Sequence, residues 1–568
     1  GFVVPRADVH MGEFVAARDE RLAWLTSFTG SAGFAVVLRH AAALFIDGRY
    51  TLQARAQSDT DVFDLRAIPK DTLGDFLVTS LDKGAVIGFD PRLHGKAEID
   101  KLTQRLDKAE LTLKRVDNLI DHIWENQPAP PMGQVVPHPL EMAGRSHGDK
   151  RMEIGAAVTA AGADAAVLTL PESLAWLLNI RGADLARTPS VHGFGLLSAD
   201  GHLTFFCAPE KLDDAAREHL GNGVSIAPPD QFADHLRSLT GTVLLDKTSA
   251  PLWVADQIDT AEIIWGRDPC ILPKACKSSA ELEGTRAAHL RDGAAVARFL
   301  CWLDQEGPKG ALTEIDVVRA LEDFRRDTGA LKDIAFETIC GAGANGAIVH
   351  YRVTEHTNAA VMPGELLLID SGGQYLDGTT DITRTVPIGP VRQDAVKPFS
   401  LVLRGMIQLS QARWADGLAG RDLDAIARGP LWSAGLDYDH GTGHGVGVYL
   451  GVHEGPQNIS RRGTEPLKPG MILSNEPGYY REGAFGIRLE NLVAIRDPAT
   501  PYEGERPMLS FKTLTLAPLD RRLIDAQILG PDALAWLNDY HARVLEEIGP
   551  HCPSEVQDWL AQACAPLS

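Results

Sequence analysis

Two short stretches that repeat each other limit the N-terminal half of this chain more than any other feature. RLAWLTSFTG at 21–30 matches SLAWLLNIRG at 173–182, with Leu-Ala-Trp-Leu and a glycine in register. Each is followed by a Gly-Phe pair, Gly33-Phe34 and Gly193-Phe194, and then by a strand-like run. These runs are AVVLRHAAALFIDGRY in the first copy and GLLSADGHLTFFCAP in the second. Short apolar words recur by chance, but three features in one order point to a duplicated domain of about 130–150 residues. Its mixture of helical and β-prone words makes it α/β. Asp200-Gly201 adds a hairpin signal inside the second copy.

Between the copies, ENQPAPPMGQVVPHPLEMAG (125–144) is rich in proline and poor in helix formers, and reads as a linker. The expected domains are therefore 1–124 and 149–275, followed by a third region at 276–568. At 568 residues the chain is too long for one core. The third region opens with Ser278 and Glu281 in a capping-box pattern ahead of a long helix. Val296, Phe299, Leu300 and Leu303 form one buried stripe on it. From 333 the pattern changes to short β-rich runs: IAFETIC, AIVHYRV, ELLLIDS, TTDITRTVPI, MILSNEP and GIRLENLVAI. Helical stretches such as 397–416 lie between them. From 531 helical spacing resumes at Leu534, Leu537, Val544 and Leu545, a C-terminal helical extension. The third region thus reads as α+β, an antiparallel sheet flanked by helices.

Charge and cysteine content narrow the function. A formal charge of −21 argues against a nucleic-acid partner. No run of about 18 apolar residues occurs, so no membrane helix is expected. The first residues, GFVVPRADVHMGEF, do not read as a signal peptide. Seven cysteines, an odd number without C-x-x-C, fit reduced thiols and a cytoplasmic protein.

The chemistry lies in the third region. Asp370 ends the apolar run Glu365-Leu-Leu-Leu-Ile, where a charge needs a partner or a cation. Asp381 lies in a second β-prone run after the turn signal Asp377-Gly378. A hairpin would set the two carboxylates side by side, where they repel unless a metal bridges them or one takes a proton. Asp377 itself reads as an ordinary turn aspartate. Glu476 follows MILSN and precedes Pro477-Gly478. Glu490 shares a face with Arg488 and Leu492 by alternation, which leaves a simple Arg-Glu ion pair open. The stretch DHGTGHGVGVYLGVHEGP (439–456) adds His440, His444 and His453 among glycines. Four carboxylates with one imidazole suit two divalent ions. The other histidines would then serve as acid, base or hydrogen-bond donors. GAGANG (341–346) satisfies G-x-G-x-x-G, but β-branched AIVHYRV follows it rather than a helix, which speaks against a dinucleotide site.

The motifs HGTGHGVG, VHEGP, IDSGGQYLDGTTDITRT, NEPGYY and GIRLEN resemble those of the pita-bread metallopeptidases. Among these they are similar to the long, three-domain Xaa-Pro aminopeptidases, and DERLAWLTSFTGSAG and DGRYTLQA carry the likeness into the N-terminal half. The resemblance implies two duplicated creatinase-N-like α/β domains followed by a pita-bread catalytic domain. It implies Asp370, Asp381, His444, Glu476 and Glu490 as ligands of two divalent ions, manganese foremost, with cobalt or zinc as alternatives. His350, in GANGAIVHYR, matches the substrate-pocket histidine, and His440 and His453 match the pair flanking the ligand histidine. Tyr480 and Arg488 match residues near the scissile bond and the proline pocket. The implied activity is hydrolysis of the N-terminal Xaa-Pro bond by a hydroxide bridging the ions. Glu476 would shuttle the proton, His453 and His350 would donate hydrogen bonds to the tetrahedral intermediate, and His440, Tyr480 and Arg488 would bind substrate. The implied partners are peptides with proline second and a second copy of the chain, with neither nucleic acid nor membrane. A prolidase-type dipeptidase is the alternative; the duplicated half and HGTGHGVG favour the aminopeptidase.

Overall fold

The repeated words fold into two sheets of one design. The computed structural model describes residues 1–568 and forms two compact units, Gly1–Lys274 and Ala275–Ser568. In the first unit, β1 (Phe2–Pro5), β2 (Phe34–Val37), β3 (Ala42–Ile46), β4 (Phe63–Ala67), β5 (Val86–Phe89) and β6 (Thr112–Arg115) form a sheet ordered β4-β3-β2-β1-β5-β6. A second sheet contains β7 (Ala165–Leu168), β8 (Phe194–Ser198), β9 (Leu203–Phe206), β10 (Val224–Ala227), β11 (Thr242–Leu245) and β12 (Glu262–Trp265), ordered β10-β9-β8-β7-β11-β12. The strand senses agree pair by pair. The first two hairpin neighbours are antiparallel and the other pairs parallel. Both expected α/β copies are present, and Gly201 takes the left-handed turn conformation (φ +83°) in the β8–β9 hairpin.

The shared Leu-Ala-Trp-Leu word sits on α1 (Arg21–Thr26) and α2 (Pro171–Leu178). Its burial differs between the copies. Trp24 is 40% exposed and stacks on Trp124, whereas Trp176 is 3% exposed with the Lys150 ammonium 4.4 Å from its ring. The segment 125–144 departs from the linker reading. Val136 and Pro137 pair with Arg181 and Ile180, Val135 donates to the Lys211 carbonyl, and Val135 and His138 are buried. The prolines limit helix here to the single turn Leu140–Ala143 without preventing packing.

In the second unit, Ser278 caps α3 (Ser279–Glu306), and Glu281 returns the hydrogen bond as the capping-box pattern requires. The next long helix is α4 (Glu314–Arg326). The α3 stripe Val296, Phe299, Leu300 and Leu303 is buried against Cys340, Leu367, Ile369, Ile382 and Val386. These belong to β13 (Ile339–Ala342), β14 (Leu366–Ser371) and β15 (Ile382–Pro387), an antiparallel sheet with β14 central. Leu367 and Ile369 face this core, so alternation turns Leu366, Leu368 and Asp370 to the opposite side. Each such buried aliphatic contributes about 1.5–3 kcal/mol, so a register slip that exposed them is strongly opposed.

Beyond α5 (Gln393–Ser410), a six-stranded antiparallel sheet runs Arg413–Trp414, β22, β21, β18, β16, β17. Its labelled strands are β16 (Gly443–Gly445), β17 (Glu454–Ile459), β18 (Ile472–Asn475), β21 (Asn491–Ala499) and β22 (Met508–Thr513), and β19 (Gly478–Arg481) pairs separately with β20 (Phe485–Arg488). The tail forms α6 (Pro531–Ile548), with Leu537 and Val544 buried, Leu534 partly buried and Leu545 37% exposed.

Three local expectations are corrected. The helix expected at 397–416 spans 393–410, because Arg413 and Trp414 are drawn into the sheet against Ser510 and Leu509. AIVHYRV is not a strand but a turn, held by Tyr351, whose hydroxyl bonds Glu314 and the Thr357 carbonyl. GIRLENLVAI is two strands in different sheets, broken at Leu489-Glu490. Leu492 therefore packs with Val446 and Ile472, away from Arg488.

Candidate metal centre

Strand alternation and one strand break bring the acids together. Asp370, on the inner face of β14, pairs in register with Thr383 of β15. Asp381 precedes β15 by one residue and alternates with Thr383 and Thr385 on the same face. The two aspartates are not opposed in one simple hairpin. The turn between β14 and β15 carries its own small hairpin, Gly373–Tyr375 with Gly378–Thr379, and Asp377 there pairs with Arg291. Glu490 lies at the break between β20 and β21. The break lets a glutamate leave the sheet and reach Thr383, whose hydroxyl donates to Glu490 Oε2 at 2.7 Å.

His444 comes from β16 and Glu476 from the end of β18. The His444 N–H donates to Ser474 Oγ at 2.9 Å, and Ser474 Oγ donates to Glu476 Oε1 at 3.2 Å. His444 Nε2 stands 3.5 Å from both Asp381 Oδ2 and Glu476 Oε1. The donor atoms of Asp381, His444 and Glu490 all lie within 4.8 Å of one another. Asp370 faces the same acids but is held by Arg488, which donates to its Oδ2 at 2.6 Å. The Arg488–Glu490 ion pair left open by the sequence is not formed; Thr383 stands between the two side chains.

The flanking residues form a chain. Arg488 donates to the Tyr480 hydroxyl at 2.8 Å, and His440 Nε2 lies 2.9 Å from that oxygen. The His453 ring packs edge-on to His444, centroids 4.2 Å apart. His350 is half-buried in the turn after GAGANG, whose neighbours Ile348 and Tyr351 share an apolar cluster with Tyr480. That turn is pressed against β20: a Cβ on Gly486 would meet the Gly346 carbonyl oxygen at 1.7 Å, so only glycine fits.

The electrostatics call for positive charge. Burial pushes the Asp370 carboxyl up to about 6 against the pull of Arg488, and the nearby Asp381 and Glu476 charges add to the rise. Burial, followed by the Asp381, Glu476 and Asp370 charges, raises Glu490 well above the carboxylate range. Burial alone would lower His444, but Asp381 and Glu476 outweigh it and raise the imidazole to about 9. The cluster thus draws a proton onto its one base. Asp370 Oδ1, Asp381 Oδ1 and Glu490 Oε1 are buried and accept no hydrogen bond. Each such orphan costs about 1–3 kcal/mol. Hard oxygen donors, a lone imidazole and a surplus of negative charge fit divalent cations.

Comparison with known proteins agrees with this geometry. The model of metallopeptidase family M24 matches residues 283–497, and that of the C-terminal region of peptidase M24 matches 507–567. Models of the creatinase/prolidase N-terminal domain match twice, at 10–123 and 126–281. A probable Xaa-Pro aminopeptidase P of Laccaria bicolor is 38% identical over 100% of this chain and 91% of its own length. The chain belongs to metallopeptidase family M24. Aminopeptidase P2 of Arabidopsis thaliana is also 38% identical, over 100% of this chain and 86% of its own. The M24 fold is shared closely with the X-prolyl aminopeptidase of Caenorhabditis elegans, described as a cytosolic enzyme with a di-nuclear active site. That structure is 34% identical, with a TM-score of 0.94 over 100% of this chain and 95% of that one. An Xaa-Pro dipeptidase from Bacillus anthracis, 22% identical, shares the fold over 66% of this chain and 99% of its own, with a TM-score of 0.54.

Sequence reasoning missed three members of this M24 centre. Thr383 was accessible by alternation from Asp381, and Ser474 by the same step back from Glu476. Arg384 gave no signal. It sits on the apolar side of β15 between Ile382 and Val386, where a cation reads as an exposed position.

Proposed function

We propose that this M24 chain is a metal-dependent aminopeptidase that hydrolyses the N-terminal Xaa-Pro bond of peptides with proline second. The observation that carries the reading is the convergence of buried, unpartnered carboxylate oxygens from Asp370, Asp381 and Glu490 beside His444. Asp370, Asp381, His444, Glu476 and Glu490 would hold two divalent ions, manganese foremost. When bound, the ions supply Lewis acidity at a carbonyl oxygen and a water that loses its proton more easily.

The residues divide the remaining work. Glu476 is the proton carrier, because its side chain is 18% exposed and so faces the open side of the cluster, unlike Glu490. Arg488 fixes Asp370 and, through Tyr480, the proline side of the pocket. Tyr480 keeps its proton at neutral pH, as any phenol does, and burial raises it further, to about 12. It therefore donates hydrogen bonds as well as accepting them. His453 and His350 donate to the oxygen that gains charge during attack, and His440 orients Tyr480. The enzyme works as a cytoplasmic homodimer, and sedimentation showing only monomer overturns that element.

The aminopeptidase is favoured over a dipeptidase because the aminopeptidase relatives match along the whole chain, duplicated half included. The test is chelation, metal analysis and add-back of Mn, Co and Zn, read with Xaa-Pro and Xaa-Pro-Xaa substrates. Metal-restored cleavage of the tripeptide supports the reading; cleavage confined to the dipeptide, or indifferent to metal, refutes it.

A further inference from the structure

Arg384 is 2% exposed, and none of its hydrogen bonds goes to a carboxylate. Nε donates to the Pro518 carbonyl at 2.9 Å. Nη1 donates to the Thr383 carbonyl at 2.9 Å and to the Glu490 carbonyl at 2.6 Å. Nη2 donates to Asn491 Oδ1, the Ala517 carbonyl and the Tyr540 hydroxyl, at 2.9, 2.8 and 3.1 Å. A buried cation with only neutral acceptors is expensive in a fold. An apolar residue would fill the volume without a buried charge, and a lysine could not make this planar set of contacts, so the geometry of the fork is what the site uses.

The contacts show what it joins. Nη1 ties its own strand β15, which follows Asp381, to the main chain of Glu490. Nη2 holds the side chain of Asn491, at the break where Glu490 leaves the sheet. Nη2 and Nε together reach the segment 515–519 and, through Tyr540, helix α6. Tyr540 is tied to the same segment, accepting the Ala517 N–H at 3.1 Å and bonding the Thr515 and Ala517 carbonyls.

We propose that Arg384 is a positioning residue that holds the Glu490 main chain so that its carboxylate is presented to the metal centre, and that the C-terminal helical segment acts on the centre through Tyr540 and Arg384. This rests on the reading of Glu490 as a ligand. Hydrogen bonds behind a ligand commonly set its affinity by about 10–100-fold.

The test is calorimetric titration of the chelator-treated full chain with Mn, comparing Arg384→Met, Tyr540→Phe and Glu490→Gln, with melting of the metal-free proteins alongside. Arg384→Met is expected to weaken Mn binding by about 10–100-fold, and Tyr540→Phe to weaken it by a smaller factor in the same direction. A purely structural role would lower the metal-free melting temperature and leave the titration unchanged, which overturns the proposal. Should Arg384→Met fail to fold, Tyr540→Phe decides: weaker Mn binding supports the proposal and an unchanged titration overturns it. An unchanged titration in Glu490→Gln removes the ligand reading and this proposal together. Weakening there with no change in the other two variants removes this proposal alone.

Discussion

Asp184 and Glu490 are both buried acids, one in each compact unit, and their surroundings differ in kind. Asp184 accepts the Lys211 ammonium at 2.7 Å, the His192 N–H at 2.7 Å and the Gly133 N–H at 2.9 Å. Its charge is matched and both its oxygens are used. Glu490 accepts one hydroxyl, from Thr383, keeps Oε1 without a partner, and faces Asp381, Glu476 and Asp370. The first arrangement closes a structure; the second leaves valence for something absent from the chain. Buried charge by itself does not mark a functional site, whereas several unmatched carboxylates converging on one imidazole do.

Substitutions should separate the two kinds. Glu490→Gln should lower hydrolysis of an Xaa-Pro-Xaa tripeptide by more than about 10³-fold. The metal-free protein should melt no lower, because the amide replaces a carboxyl that burial and its acidic neighbours already drive toward the neutral form. A drop in its melting temperature without loss of turnover would erase the distinction. Lys211→Met should do the reverse, costing about 3–5 kcal/mol of stability by stranding Asp184, with kcat at a permissive temperature near that of the parent. Denaturant unfolding beside steady-state kinetics reads both halves.

A pH measurement sharpens the contrast. His10, next to the Asp184 cluster, is buried; burial, with the Lys211 charge adding to it, lowers its pKa to about 4. The unfolded chain therefore binds this proton more readily. Stability present above about pH 6.5 is lost as pH falls toward 4, by up to roughly 3 kcal/mol. His10→Gln should flatten the melting-temperature curve over that range; an unaltered slope would place the acid sensitivity elsewhere. The smallest effect belongs to the substrate side. Tyr480→Phe removes a hydroxyl shared by Arg488 and His440 and should lower kcat/KM by about 5–30-fold, the equivalent of about 1–2 kcal/mol, with metal content unchanged.

Much of this arrangement is legible in the residues. The Leu-Ala-Trp-Leu repeat announces two sheets that share one strand order, and Ser278 with Glu281 announces α3. Asp370 is exposed as exceptional by the apolar run before it. What escapes is decided by contacts distant in sequence. Nothing local marks the break at Leu489-Glu490, since both halves are β-prone and each finds its own partner strand. AIVHYRV has strand composition but turns, because Glu314 on a distant helix claims the Tyr351 hydroxyl. Arg384 is hidden because its acceptors are main-chain atoms and two side chains more than 100 residues away, which no spacing rule connects.

The contact of Gly346 with Gly486 bears on how such an enzyme can diversify. Two main chains that lie too close for a methyl group move as one, so the turn before His350 and the strand ending at Arg488 share a single frame. Natural or engineered change in either element would then come from exchange of its side chains. The spacing between the Gly346 turn and β20 is the part that selection has no room to adjust.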